Sequence, residues 1–437
     1  MSTTTASTDL TSKLQKVISV LEQRFLEREE LIRLLLLGIA SGENVLMVGP
    51  PGTAKSGLAH TVAQLFGGGG RFFDYLLTRF TTPDEMFGPV SLQQLKQDEF
   101  VRRTEGYLPS AEFAFLDEIF KANSAILNAL LSILNERVFF NGREKQQVPL
   151  VFLMAASNEL PEENEQLAAL YDRFLFRYEV SYMKTIASYE RMFDTPKEPV
   201  PALLSVRDLK DIQRRAEGVE LSEAIIYMLF QLKTVMEEKE YVVSDRRWKK
   251  IGNVWRTSAA LNGRTSVSVW DTVYTPHMLW DFPEDLSPLK ELFDGVFQEA
   301  LKREMERELP LGQYDQVLRK WLEREDELHS FQFKREVGAN VPKETAERLR
   351  RALDESRAEL EETARALAKR LTAWQLREQK LDDWIRSQNV LILHADTYAA
   401  KFTRLRIQGE RILQQLQGLY RTLNDKDIPG FTYDYTL

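Results

Sequence analysis

Residues 49–56 read GPPGTAKS and lie between an apolar run and a segment with helical spacing. A loop that joins a strand to a helix in this way can surround phosphate groups with backbone N–H groups at the helix N-terminus. Lys55 would add a fixed positive charge, and the hydroxyl of Ser56 would ligate Mg²⁺. These residue types indicate a site for the phosphates of a nucleotide and its magnesium ion.

The octet departs from the usual pattern at one position, because Ala54 stands where glycine normally precedes the lysine. Taken alone, the octet could be an ordinary connection between a strand and a helix. Residues farther along the chain are needed to distinguish that from a phosphate-binding loop. The residues of this segment that we predict to bind the nucleotide are Gly49, Pro50, Pro51, Gly52, Thr53, Ala54, Lys55, Ser56 and Gly57.

Two acidic residues, Asp117 and Glu118, directly follow the apolar run 113–116. Hydrolysis of a nucleotide requires one carboxylate that holds magnesium through its waters and another that orients or deprotonates the attacking water. Asp117 is predicted to take the first role and Glu118 the second. The alternative is a strand end that enters a helix cap, which the upstream loop makes the weaker interpretation.

Asn158 follows the next apolar run, residues 151–156. Ligands of open α/β folds bind at the carboxyl ends of the strands, so Asn158 is predicted to position the attacking water beside the γ-phosphate. The alternative is an ordinary turn asparagine.

Arginines in two later segments could complete such a site. Arg173 precedes a predicted strand and, in a ring of subunits, could reach the γ-phosphate bound by a neighbour. The alternative is an intrachain ion pair, which we favour more strongly for Arg177. Arg246 opens a helix in a later helical region and could sense the γ-phosphate across the cleft between two domains, with Arg247 as the second choice.

Strand-like and helical segments alternate up to about residue 180, which is typical of a parallel sheet covered by helices on both faces. Segments 100–108 and 137–148 resemble additional hairpins, and the second contains the turn dipeptide Asn141-Gly142. Apolar residues at helical spacing over 14–40 predict helical structure before the first strand. The five predicted strands are residues 44–48, 71–77, 113–116, 148–155 and 174–180.

Three domains are predicted: an α/β domain over 1–200, a small all-α domain over 201–275 and a C-terminal helical domain over 276–437. In the last, we expect a helix over about 288–326 and a long antiparallel helical hairpin that reverses near 386–389. This arm could bind partners or be a purely structural bundle. The seam of apolar residues that predicts a coiled-coil hairpin is Leu349, Leu353, Leu360, Ala364, Leu367, Leu371, Trp374, Leu381 and Ile385.

The composition of the 437 residues, with 43% hydrophobic and 28% charged residues, is that of a globular protein with several domains. A net charge of −8 repels nucleic-acid phosphates, so nucleic acid is a disfavoured partner. The absence of cysteine excludes disulfides and thiolate metal sites, and Mg²⁺ carried by the nucleotide is the only metal expected. The N-terminus lacks a secretory pattern and no apolar run could span a membrane, so we expect a cytoplasmic location.

In their order along the chain, GPPGTAKS, FLDE, the asparagine of AASNE and the arginines of DRF and SDRR resemble the motifs of AAA+ ATPases of the MoxR family. The stretches YLLTRFTTPDEMFGP, FKANSAILNALLSILNER and SDRRWKK are similar to the RavA branch of that family. The likeness covers about residues 14–261, and relatives of this type tolerate alanine before the lysine. It implies a hexameric ring that binds ATP and Mg²⁺, a helix-2 insertion at about 83–108 and a pre-sensor hairpin at about 137–148.

Proteins of the RavA type also carry a small strand-rich insert that engages a lysine decarboxylase. Residues 325–343 are too few for such a domain, so that partner is not expected. The sequence therefore predicts an ATP-driven remodeller of a protein client. The alternatives are a nucleic-acid motor or loader and a nucleotide-gated scaffold with incidental turnover.

Overall fold

The computed structural model describes residues 2–67, 71–160, 165–193, 200–338, 340–393 and 396–435. The chain forms two units. The first contains residues 1–297 together with the short segment 388–393, and the second contains residues 298–387 and 394–437.

A parallel sheet of five strands lies at the centre of the first unit, in the order β2-β3-β6-β1-β7. The strands β1 and β6 are buried along their whole length, because helices cover both faces, and they read as continuous apolar runs. The predicted parallel sheet is confirmed. The strands of the described residues are β1 (Asn44–Val48), β2 (Phe72–Leu76), β3 (Phe113–Asp117), β4 (Val138–Asn141), β5 (Glu144–Gln147), β6 (Phe152–Ser157) and β7 (Phe174–Glu179).

Two helices precede the sheet instead of one continuous helical segment over 14–40. The first ends at Arg24, and Glu27 takes a left-handed backbone conformation with φ 55° before the second begins at Glu29. Leu26 in the connection is buried, so the apolar pattern continues across the break. The α-helices of the described residues up to 193 are α1 (Ser2–Arg24), α2 (Glu29–Ser41), α3 (Lys55–Leu65), α4 (Pro83–Phe87), α5 (Leu92–Leu95), α6 (Ser124–Glu136), α7 (Glu165–Tyr171) and α8 (Ile186–Met192).

The strands β4 and β5 form the antiparallel hairpin predicted at 137–148, and it turns after Asn141 as expected. The hairpin predicted at 100–108 is wrong. That segment makes one isolated bridge, between Val90 and Arg102, which closes the loop that contains α5. The Asn141 side chain accepts from the backbone N–H of Arg102 at 2.7 Å and donates to its carbonyl at 3.0 Å, so the segment is bound by the neighbouring hairpin instead of pairing with itself.

A helical region follows the sheet and consists of α9 (Val206–Glu217), α10 (Glu223–Glu238) and α11 (Asp245–Leu261). A serine precedes each helix, and its hydroxyl accepts from a backbone N–H of the first turn. Three short 3-10 helices between residues 269 and 285 then bury Trp270 and Trp280. The small all-α lid expected after the sheet is confirmed.

Residues 388–393, which we call the inserted segment, contact the end of α11 and the Trp270 region. The amide of Asn389 donates to the carbonyl of Trp270 at 2.8 Å and to the hydroxyl of Ser258 at 3.2 Å. Its oxygen accepts from Asn262 at 3.1 Å. Asn389 is buried, so these hydrogen bonds satisfy its polar atoms where water cannot.

Replacing Asn389 by alanine is expected to lower the free energy of unfolding by about 2–4 kcal/mol, because several buried partners lose their hydrogen bonds at once. Denaturant unfolding followed by tryptophan fluorescence measures the change. The control is Asn128→Ala, at an exposed position of α6, which should change the free energy by less than about 0.5 kcal/mol. Equal unfolding midpoints for the two variants would show that the inserted segment does not stabilise the first unit.

The helices α12 (Leu286–Glu308), α13 (Leu311–Leu322), α14 (Glu325–Glu336), α15 (Lys343–Gln379), α16 (Leu381–Gln388) and α17 (Ala399–Asn424) complete the fold. Helices α15 and α17 run antiparallel, as shown by the pairs Gln375–Glu410 and Arg357–Asn424. The helical C-terminal arm is therefore confirmed, and all nine residues of the predicted seam are buried.

Two details of the arm differ from the prediction. The single helix expected over 288–326 is divided into α12, α13 and the start of α14, and Pro310 stands at the first break because it cannot continue a helix. The long helix is interrupted at Lys380 and ends at Gln388, within the predicted reversal. Among the described residues, no helix is both long enough and apolar enough to cross a membrane.

Candidate active site

The loop at 49–54 leaves β1 at the carboxyl edge of the sheet and ends at the first residue of α3. The N–H of Gly49 donates to the carbonyl of Ser157 at 3.0 Å, which ties the loop to the end of β6. A Cβ at Gly49 would lie 2.1 Å from the carbonyl oxygen of Val180, and its φ is 151°, so only glycine fits there. The sheet therefore fixes where the loop starts.

Ala54 precedes α3 in a left-handed conformation with φ 64°. This conformation costs a residue with a Cβ about 1–2 kcal/mol, whereas glycine adopts it freely. The unusual residue in the octet is therefore also a point of backbone strain. The loop keeps the curved backbone that glycine would give it.

The Lys55 ammonium lies within the loop, and Lys55 is only 6% exposed. Its Nζ donates to the carbonyls of Gly49 at 2.5 Å and Pro50 at 2.9 Å, and to Oδ1 of Asn158 at 3.2 Å. Burial lowers the pKa of Lys55, and the negative charges of the acids at the end of β3 oppose that shift. A buried cation enclosed by a loop at a helix N-terminus fits a nucleotide phosphate.

Asp117 ends β3, and Glu118 follows it in a left-handed conformation with φ 53°. The N–H of Glu118 donates to the Asp117 carboxylate at 2.9 Å. Burial raises the pKa of Asp117, while this hydrogen bond and the charge of Lys55 lower it. The half-buried Asp117 carboxylate and the exposed Ser56 at the start of α3 carry the oxygen ligands that Mg²⁺ prefers.

Both carboxylate oxygens of Glu118 have a polar partner, and Glu118 is 7% exposed. The amide of Asn158 donates to Oε1, and the ammonium of Lys121 lies 3.2 Å from Oε2. Because Asn158 also accepts from Lys55, these four side chains form one continuous chain of polar contacts. The neighbouring positions of β3, β6 and β1 in the sheet bring together the predicted Lys55, Asp117, Glu118 and Asn158.

Arg173 lies at the amino ends of the parallel strands, opposite the carboxyl edge where the loop at 49–54 begins. It directly precedes β7, whose first residue, Phe174, pairs with Asn44 at the beginning of β1. Five residues of strand separate that level from Gly49, which corresponds to about 17 Å. The structure therefore does not bring Arg173 to the loop of its own chain.

Arg246 lies at the same edge as Arg173. Its guanidinium donates to Asn135 at the end of α6 at 3.2 Å, and Lys250 on the same helix forms a 2.6 Å ion pair with Glu43, which precedes β1. Burial lowers the pKa of Arg173, and the nearby charge of Arg246 lowers it further. The expected placement of Arg246 across a cleft from its own loop is therefore not observed, and its role at a γ-phosphate stays a prediction.

The other two arginines are held by an acid that sequence reasoning missed. Arg177 is 1% exposed, stacks 3.9 Å from the Tyr171 ring centroid and forms an ion pair with Asp281. Arg247 also contacts Asp281, at 3.2 Å, and lies 3.6 Å from Asp172. The intrachain ion pair is thus observed for Arg177, and Arg173 also lies 3.8 Å from the carboxylate of Asp172. The two contacts of Arg247 direct its side chain toward Asp281 and Asp172. Its contact with a nucleotide stays a prediction.

Lys121 is the second residue of the site that the sequence analysis did not predict. It stands three residues after Glu118 in the stretch DEIFK, and a basic residue at that spacing on a tight turn would have been a usable signal. The signal is weak, because it depends on a 3-10 turn directly after the strand.

A phosphate loop, paired acids and a strand-end asparagine at one edge of a parallel sheet, followed by a helical lid, define a P-loop protein of the AAA+ class. Residues 12–194 match the model of the MoxR domain in the MoxR-vWA-beta-propeller ternary systems, and residues 224–293 match an AAA lid domain. The chain is 43% identical over 289 residues to the uncharacterised protein MJ0079 of Methanocaldococcus jannaschii, covering 65% of this chain and 75% of that protein. The chain belongs to the MoxR family of AAA+ ATPases.

Two further proteins resemble this chain. The chain is 30% identical over 220 residues to the chaperone MoxR1 of Mycobacterium tuberculosis, covering 49% of this chain and 56% of that protein. A crystal structure of a proposed ATPase from Cytophaga hutchinsonii superposes with a TM-score of 0.54 at 20% identity, covering 67% of this chain and 95% of that one. The second comparison supports the fold alone.

Proposed function

We propose that this protein hydrolyses ATP with Mg²⁺ and uses the energy to remodel a protein client. The observation that carries the proposal is the continuous contact of Lys55, Asn158 and Glu118 at the edge of the sheet where the phosphate loop begins. A phosphate-binding cation, a water-positioning amide and a general base are then within reach of one γ-phosphate.

Each side chain has a distinct role in this proposal. Lys55 and the loop backbone bind the phosphates, while Ser56 and, through water, Asp117 hold the metal ion. When bound, Mg²⁺ would neutralise charge on the phosphate oxygens. Glu118 accepts the proton of the attacking water, and Asn158 orients that water. Burial of Glu118 excludes competing solvent from its carboxylate.

The assembly that we propose is a homo-hexameric ring of the RavA-like type. Arg173 supports it, because its Nε and Nη1 are buried without a hydrogen-bond acceptor among the described residues, although Asp172 lies 3.8 Å from Nη1. A guanidinium that is incompletely paired at the edge opposite the loop could complete the site of a second copy. Arg246 beside it would do the same.

The client is proposed to be a protein and not a nucleic acid, since the net charge of −8 opposes binding to a polyanion. The description of the matching family model places such domains in systems with vWA and β-propeller proteins, and we propose a vWA protein as the partner. A nucleic-acid motor and a nucleotide-gated scaffold remain the second candidates. The cytoplasmic location stays a prediction from the sequence.

The client can be tested with a variant that binds ATP without hydrolysing it. Glu118→Gln with ATP should retain a vWA protein from the same system on a column, and Lys55→Ala, which cannot hold the phosphates, should retain less. Equal retention by both variants would speak for the scaffold. ATP turnover that rises with added DNA and falls steeply with salt would instead favour the nucleic-acid motor.

A further inference from the structure

The backbone directly after Glu118 places Lys121 over the Glu118 side chain. The residues Ile119–Lys121 form one turn of 3-10 helix, and the N–H of Lys121 donates to the carbonyl of Glu118 at 2.9 Å. Side chains three residues apart lie above one another on a 3-10 helix. The ion pair of 3.2 Å between Lys121 and Oε2 of Glu118 follows from this turn.

The two oxygens of Glu118 have partners of different kinds. Asn158, which contacts Oε1, also accepts from Lys55, so its position is linked to the lysine that would bind phosphate. Lys121 contacts Oε2 from within the same turn of chain, and among the described residues it makes no hydrogen bond or ion pair with the phosphate loop. The contact between Lys121 and Oε2 is therefore independent of what the loop binds, whereas the contact between Asn158 and Oε1 is not.

The surroundings allow Lys121 to act as a separate anchor. Its side chain is 48% exposed, whereas that of Glu118 is 9% exposed, and both line a cavity of about 260 Å³. Arg79 and Glu159 are the other charged residues along that cavity. Lys55 and Asp117 are the charged groups that face Glu118 from the side of the loop.

We infer that Lys121 is a positioning residue for ATP hydrolysis: it holds Oε2 of Glu118 in place while Asn158 exchanges partners during nucleotide binding. The inference rests on the proposed function. Because Lys121 makes no hydrogen bond or ion pair with the nucleotide loop in the part of the chain that the structure describes, its removal should affect the rate of the chemical step and not the binding of ATP.

The test compares steady-state ATP hydrolysis by the native chain, Lys121→Met and Lys121→Arg. Lys121→Met is expected to lower kcat by about tenfold with the KM for ATP unchanged, because a misplaced base loses rate steeply with distance. Lys121→Arg keeps a cationic donor and should retain most of kcat. The control is Lys302→Met, which removes an exposed lysine that is paired with Glu306 on α12 and should leave both constants unchanged.

The outcomes separate this inference from the proposed function. If the native chain hydrolyses ATP and Lys121→Met has the same kcat, the inference is overturned and the proposed function is not. A change in KM alone would have the same consequence. A Lys121→Arg variant as slow as Lys121→Met would also overturn it. Absence of turnover in the native chain would overturn both proposals. An unchanged thermal unfolding midpoint in Lys121→Met shows that lost rate is not lost folding, since exposed ion pairs contribute little to stability.

Discussion

Replacing Glu118 by glutamine is expected to slow ATP hydrolysis by about 10²–10⁴-fold while ATP binding is retained, because glutamine cannot accept the proton of the attacking water. Glutamine has nearly the same shape and can still accept from Asn158 through its carbonyl oxygen. Single-turnover phosphate release measures the rate, and equilibrium titration with a fluorescent ATP analogue measures binding.

Lys55→Ala is the matched variant for this experiment. It removes the cation that lies within the loop, so binding of the analogue should be lost. If Glu118→Gln hydrolysed ATP at the native rate, Glu118 would not be the general base. If Lys55→Ala bound the analogue normally, the loop at 49–56 would not be the phosphate site.

Replacing Arg173 by alanine is expected to reduce hydrolysis by about 10³-fold or more while ATP binding is kept, as for arginines that complete a neighbour's site. The physical reason is the position of Arg173 at the edge opposite the loop, beside Arg246. Phosphate release by the purified variant measures the effect. Arg214→Ala, which removes an exposed arginine of α9, is the control and should hydrolyse ATP normally.

Mixing subunits distinguishes a role in a neighbour from a role within the chain. Arg173→Ala subunits keep an intact loop, and Lys55→Ala subunits keep an intact Arg173. In randomly mixed rings of equal parts, about a quarter of the native rate should return if sites act independently, because half of the intact loops then have an intact neighbour. No recovery would show that Arg173 acts only inside its own chain.

Much of the fold could be predicted because its signals are local. Strands buried on both faces read as continuous apolar runs, and β1 was predicted to the residue at 44–48. The break between α1 and α2 was missed, since residues 25–28 contain neither glycine nor proline and Leu26 continues the apolar pattern. The partner of Arg102 is Asn141, 39 residues away, and no local pattern distinguishes that contact from a hairpin.

The candidate site divides in the same way. Lys55, Glu118 and Asn158 each follow a strand, and the parallel sheet brings the ends of its strands to one edge. The positions of Arg246 and Arg247 depend instead on how α11 packs against α2 and α9, which spacing does not encode. Asp281, the partner of both Arg177 and Arg247, lies 104 residues from the first and 34 from the second.

The inserted segment has a consequence for how the chain can be divided. Because residues 388–393 belong to the first unit, the stretch 1–297 is not a self-sufficient module, and the chain passes between the units three times. A protein shortened at Phe297 would lack Asn389 and expose the buried surface around Trp270. Lost activity after such a deletion would not show that the arm recruits a client. An informative deletion has to keep residues 388–393, or supply them as a separate peptide.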